Sequence, residues 1–293
     1  MSLLLDQRGD DVPITEGAVV QIAKSIDKDV KRLLLDRNGN DVPVTEEVVK
    51  AAAGNIRHGE ELMRLLLDRR GNDVLITGEV VKAAAGNTGH GEEVVRLLLD
   101  RRVDDVPITE EVAKVAAANY SRGEEVIRLL LDRRRDDVPI TEEVVMAAAG
   151  NEGGGEIMRL LLVQRGEDVL ITEEVVKAAA GNRKHGEEVI RLLLDRRGED
   201  VPIIEEVVKA AAGNSGRREE VIRLLLNRRG GDVPVTEEVV KAAAGNEWYG
   251  KGVMTLLLDQ RWDGVVEAAA GNRRSGQEVM ALLLDRRGSY DDI

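Results

Sequence analysis

The stretch ITEEVVKAAAGNRKHGEEVIRLLLDRRGEDVP, Ile171 to Pro202, is one copy of a unit that recurs through the whole 293-residue chain. Its Leu triplet sets the register, beginning at Leu3, Leu33, Leu65, Leu97, Leu129, Leu160, Leu192, Leu224, Leu256 and Leu282. Successive spacings are 30, 32, 32, 32, 31, 32, 32, 32 and 26 residues, too regular for chance. A period of this length marks a stack of small units, each burying its apolar face against its neighbours. The expected architecture is a single all-α, right-handed solenoid over residues 1–293, with about nine helix pairs following an initial half-unit. The first spacing is short because Ser25-Ile26-Asp27-Lys28 replaces the usual Ala-Gly-Asn segment and its loop. The last is short because Arg261-Trp262-Asp263-Gly264 runs straight into Val265, where Trp262 is expected to cap the stack. Met1 to Asp6 reads as the end of a second helix, not as a leader, so a piece of a longer protein is expected.

Each unit reads as two short helices. Helix A starts at a Thr (Thr45, Thr77, Thr109, Thr141, Thr172 or Thr236). Thr is a good N-cap, and the Glu pair that usually follows suits the positive end of the helix dipole. Val48, Val49, Ala51, Ala52 and Ala53 supply the apolar part of one copy, the alanines allowing close approach of a neighbouring helix. Gly54 and its equivalents are expected to end helix A in a left-handed conformation. Helix B starts near Glu187 and Glu188, carries Val189, Ile190, Leu192, Leu193 and Leu194, and ends in Arg196-Arg197 before Gly198. Pro13, Pro43, Pro107, Pro139, Pro202 and Pro234 hold the connection to the next helix A, biasing the preceding Val away from helical dihedrals. Leu75 and Leu170 take that place in two units. Helices this short are marginal alone, so stacking must supply most of the stability.

Composition narrows the function. Aromatics make up 2% of the chain and Phe is absent, so the core must be Leu, Val, Ile and Ala. Cysteine is absent, which leaves no disulfide and no thiolate metal site, and a cytoplasmic location is expected. A formal charge of −13 argues against nucleic acid as a partner. No apolar run approaches the roughly 20 residues of a membrane span, and core burial accounts for the amphipathic faces, so no membrane partner is expected. His58, His90 and His185 are the only histidines and occupy equivalent loop positions, but nothing completes a zinc site around them. Phosphate-binding glycine loops, serine-nucleophile motifs and a unique carboxylate pair are all missing. The expectation is no enzyme, no cofactor and no small-molecule substrate.

The exceptions to the repeat carry the functional reading. Between Gly-Asn and helix B the triplet changes from Ile56-Arg57-His58 to Thr88-Gly89-His90 and Tyr120-Ser121-Arg122. Later copies carry Glu152-Gly153-Gly154, Arg183-Lys184-His185, Ser215-Gly216-Arg217, Glu247-Trp248-Tyr249 and Arg273-Arg274-Ser275. Loops also vary neutrally. A constant scaffold beneath a varied ridge nevertheless suits recognition of a protein partner. The candidate residues are Arg57, His58, His90, Tyr120, Arg122, Lys184, His185, Arg217, Trp248 and Tyr249. Trp248 and Tyr249 lead because exposed aromatics anchor interfaces. The alternatives are a structural spacer or end-to-end self-association.

These units resemble ankyrin repeats over the chain as a whole. Thr172 to Asn182 is similar to the first ankyrin helix, and Glu188 to Asp195 to the second. The first helix lacks the usual Pro-Leu-His start, the turn Asn182 to Gly186 is longer, and the connection after Val201 is much shorter than the ankyrin finger. The resemblance implies a divergent ankyrin-like array, like the short near-identical repeats of fungal NACHT-type signalling proteins, where such arrays act in recognition or scaffolding. Tetratricopeptide and other helical-hairpin solenoids stay open.

Overall fold

A computed structural model describes residues 15–24, 43–214, 216, 219–246 and 250–258. The described residues are all-α, and the chain divides into two compact units, Met1–Val144 and Val145–Ile293. In unit 1 the A helices are α1 (Glu16–Lys24), α2 (Glu46–Ala53), α4 (Gly78–Ala85) and α6 (Glu110–Ala118). Their B partners are α3 (Gly59–Arg70), α5 (Gly91–Arg102) and α7 (Gly123–Arg134). The division falls inside α8 (Glu142–Gly150). Unit 2 continues with α9 (Gly154–Arg165), α10 (Glu173–Gly181), α11 (Gly186–Arg197), α12 (Glu205–Gly213), α13 (Glu220–Arg229), α14 (Glu237–Gly245) and α15 (Gly250–Leu258). Within each unit A helices pack on A helices, B on B, and each A on its own B, which is the packing pattern of an alpha solenoid. Trp262 lies outside the described residues.

Burial follows from residue size. Val80, Val81, Ala84 and Ala85 of α4 are fully buried, a pattern at i, i+1, i+4 and i+5 that serves two packed sides of one helix. On helix B the Leu triplet with the preceding Val, Ile or Met fills the larger spaces; Leu98, Ile127, Leu130, Ile190 and Leu193 have no exposure. Acidic first turns and basic last turns recur on α3, α5, α7 and α11, matching the helix dipole at both ends.

Helix A begins largely as its sequence predicts. The hydroxyl oxygens of Thr77, Thr109, Thr172 and Thr236 accept from the amide three residues on, at 3.3 to 3.4 Å. Thr45 makes no such cap; its hydroxyl donates to Glu16 Oε1 of the preceding repeat at 2.6 Å. Thr141 Oγ1 is buried without a partner among the described residues. Helix α12 has Ile204 at the cap position, with no side-chain cap. Ile204→Thr should therefore raise stability by about 0.5–1 kcal/mol. A shift of the urea midpoint at unchanged slope would show it, and an unmoved midpoint would count against the cap argument.

The end of helix A departs from expectation. Gly54 and Gly86 have φ of −81° and −80°, within the ordinary right-handed region. Gly150, Gly181, Gly213 and Gly245 are the last helical residues of their A helices. Glycine is thus not what stops helix A; the Asn after it is. Helix B ends on a glycine of positive φ at Gly71, Gly198 and Gly230, with φ of 48°, 56° and 49°, whereas Gly166 after α9 has φ −61°. Where Val103 and Arg135 stand in that place, the preceding Arg102 and Arg134 absorb the turn instead, at φ −147° and −143°.

Two further features come from the chain's own substitutions. Val74 has φ −74° and ψ 109° before Leu75, and Val106 has φ −80° and ψ 107° before Pro107. The extended connection is therefore set by burial of the Val, with proline only compatible with it. Helix B starts one residue earlier than expected, at a buried Gly. A Cβ on Gly186 would stand 2.7 Å from Ala179 O and one on Gly59 2.8 Å from Asn87 Nδ2, so a side chain at either place would force its neighbours to shift. In the sequence Arg218 takes this place before α13, which begins at Glu220.

Candidate functional site

The only buried polar residues among those described are Asn55, Asn87, Asn119, Asn151, Asn182, Asn214 and Asn246, each within two residues of the end of helix A. Asn119 shows why. Its Nδ2 donates to Ala85 O at 2.9 Å and Asn87 O at 3.3 Å in the preceding repeat. Its Oδ1 accepts from the amides of Ser121 at 3.1 Å and Arg122 at 3.0 Å. A primary amide has two donors and two acceptor sites, and all four are used. The same arrangement recurs at Asn87 and, in unit 2, at Asn182. Asn214 and Asn246 likewise donate to the Ala and Asn carbonyls one repeat back. Asn55, Asn87, Asn119 and Asn182 therefore end helix A, fold the turn into helix B and bond the repeat to its predecessor. This ladder went unrecognised in the sequence.

The turn that the ladder holds carries the candidate ridge, and its positions divide by role. Those just before helix B point back onto that helix. His185 donates from Nδ1 to Glu188 Oε2 at 2.9 Å, Arg122 Nη1 lies 3.6 Å from Glu125, and His58 Nδ1 lies 4.0 Å from Glu61. His90 instead donates from Nε2 to Arg57 O of the preceding repeat at 3.0 Å. His90 Nδ1 and Glu93 Oε2 are buried without a partner among the described residues. Positions after the Asn face outward in several turns, though Thr88 and Gly89 are half-buried. Tyr120 is 68% exposed, and Ile56, absent from the sequence-based candidates, is 56% exposed at the equivalent place two repeats earlier. Arg57 is exposed in the same turn as Ile56. In unit 2, exposed Lys184 reaches Glu152 of the preceding turn at 2.5 Å. Unit 1 thus brings together Arg57, His58, His90, Tyr120 and Arg122 in successive turns, and unit 2 places Lys184 beside His185. Arg217, Trp248 and Tyr249 lie outside the described residues.

Electrostatics here is local pairing. The hydrogen bond from His185, followed by that from Arg159, holds the Glu188 carboxyl below its usual range against the opposing effect of burial. Lys184 holds Glu152 below its usual range in the same way, chiefly through a hydrogen bond. A carboxylate with a depressed folded value stabilises above its unfolded pKa, and that contribution is lost as pH falls through the folded value. Glu188→Gln should therefore lower the denaturation midpoint near neutral pH, with a difference that shrinks as pH falls through the folded carboxyl's lowered range. A deficit that persists in acid would assign the effect to packing. Across repeats, Arg101 pairs with Asp68 and Arg133 with Asp100 in unit 1, and Arg228 with Asp195 in unit 2, at 2.7 to 2.9 Å. Among the described residues no group of three or more His, Asp or Glu is placed to hold a metal ion. No described helix is long and apolar enough to cross a membrane.

Repeating helical hairpins of nearly invariant core with varied turn residues define an all-α repeat protein of the solenoid class. The chain belongs to the family described as Domain of unknown function (DUF7104), whose model matches residues 3–23, 33–63, 65–94, 97–126, 129–158, 160–189, 192–221, 224–254 and 256–280. Each matched segment begins at a Leu triplet, so the family unit and the 32-residue register coincide. Neither the curated proteins nor the solved structures gave a match to the chain.

Proposed function

We propose that this chain is a protein-recognition or scaffolding array that reads its partner through the turn ridge. One observation carries the reading: in the Asn119 turn the ladder Asn supplies the hydrogen bonds, so the side chain of Tyr120 is not needed for them. Ile56, Arg57 and Tyr120 are therefore exposed on a rigid base, an arrangement that limits the entropy lost on binding. An ankyrin-like use of the array, as the recognition part of a cytoplasmic signalling protein, is the context that the repeat pattern suits best.

The test is affinity capture from native-cell lysate with the full chain, the Arg57→Ser/Tyr120→Ser variant and the Trp248→Ser/Tyr249→Ser variant. Circular dichroism first establishes that all three are folded. A partner retained by the parent and lost from either variant supports recognition by the ridge. Identical recovery by all three points to a spacer, and growth of the parent's mass with concentration points to self-assembly.

A further inference from the structure

The ion-pair ladder on the B helices lacks its carboxylate at Val163 in unit 2. Where Asp68, Asp100 and Asp195 hold the Arg of the following repeat, the chain has Val163, and Val163 is 78% exposed. The Arg that would meet it is Arg196. Its guanidinium lies over the end of α9, since a Cβ on Gly166 would stand 2.5 Å from Arg196 Nη2. Gly166 is three residues after Val163, on the same side of that helix.

The neighbouring arginine is displaced too. At the equivalent position Arg229 donates to the carbonyls of Gly198, Glu199 and Val201, and Arg102 bonds Asp105. These bonds form around a short 3-10 turn after helix B, which in the connection below Arg229 opens on Gly198 at φ 56°. Gly166 instead has φ −61°, and no such turn follows α9. Arg197 is exposed, whereas Arg70, Arg102, Arg134, Arg165 and Arg229 are half-buried. Neither Arg196 nor Arg197 has a hydrogen bond or ion pair with any described residue. The nearby carboxylates of Asp168 and Asp195 are engaged by Arg165 and Arg228, and those of Glu167, Glu199 and Asp200 lie beyond ion-pair distance.

We propose that Val163, Arg196 and Arg197 form a second docking surface, at the end of the B helices away from the turn ridge. Its occupant is an extended acidic segment of a partner protein, with carboxylates on either side of an aliphatic residue. Charge complementarity argues for this occupant. Guanidinium groups take carboxylates in paired, directional hydrogen bonds. Arg196 lacks the carboxylate that Asp68, Asp100 and Asp195 supply in other repeats, and Arg197 does not engage Asp200, although the equivalent Arg102, Arg134 and Arg165 each pair with the Asp three residues on. Val163 offers the aliphatic contact beside them.

The test uses fluorescence anisotropy with the full chain and a fluorescein-labelled peptide carrying Asp-Leu-Asp-Leu-Asp between Gly-Ser ends. The control peptide carries Lys-Leu-Lys-Leu-Lys. Val163→Asp reinstates the carboxylate found in the other repeats, so it should fold normally and engage Arg196. The expected result is saturable, salt-sensitive binding of the acidic peptide that weakens at least about tenfold in Val163→Asp and in Arg196→Glu/Arg197→Glu. Binding should be unchanged in Tyr120→Ser, which separates this surface from the ridge. Equal binding to the parent and Val163→Asp, or equal binding of the Lys peptide, would overturn the proposal.

Discussion

Replacing Asn119 with Ala should destabilise the protein by about 3–4 kcal/mol, more than any surface change in the chain. The side chain donates to two buried carbonyls, Ala85 O and Asn87 O, and each stranded carbonyl costs about 1–3 kcal/mol. The amides of Ser121 and Arg122 are only part-buried, so water can take over much of their bonding. Asn119→Asp isolates the donor. It keeps an acceptor for the two amides but sets a carboxylate against two carbonyls, which disfavours the charged form. The folded-state pKa of the new Asp is then raised, so its stability should recover as pH falls below the folded value. Urea titrations of both variants at neutral and acid pH measure these effects. A loss below about 1 kcal/mol for Asn119→Ala would mean the ladder is incidental.

Leu193→Ala should cost about 2–5 kcal/mol. Leu193 is fully buried on α11, within a core assembled without phenylalanine. No bulky aromatic is at hand to collapse into the space, and the adjoining A helices are lined by alanines that cannot grow to fill it. Because repeats couple to nearest neighbours, the loss should be felt in α9 and α13, which pack on α11, before it reaches more distant helices. A denaturant melt within about 1 kcal/mol of the parent would show that α11 carries less of the fold than its burial implies.

The helix pairs were legible because their signals are local. The Leu triplet, the Thr before Glu-Glu and the Arg pair at the end of helix B each act within one or two turns of their own helix. The ladder was not legible because an Asn after Gly reads as an ordinary turn, and its decisive partners lie 32 to 34 residues earlier. One clue was present. At Ala118-Asn119 the Gly is replaced while the Asn remains, which marks the Asn as the required residue. The ridge was legible as a variable stretch but not in its division. His58, Arg122 and His185 approach the Glu three residues on, a spacing visible in the sequence. That Tyr120 and Ile56 face outward depends on the turn geometry the Asn imposes.

That geometry also links the fold to recognition: Asn119 must hold its turn, so that Tyr120 beside it is free to change. Residue-resolved amide hydrogen exchange at Ser121 and Arg122 tests this most directly, in the full chain, in Tyr120→Ser and in Asn119→Ala. The predicted result is clear protection of both amides in the parent and in Tyr120→Ser, and its loss in Asn119→Ala. Protection that survives in Asn119→Ala, or vanishes in Tyr120→Ser, would contradict the separation of scaffold from ridge.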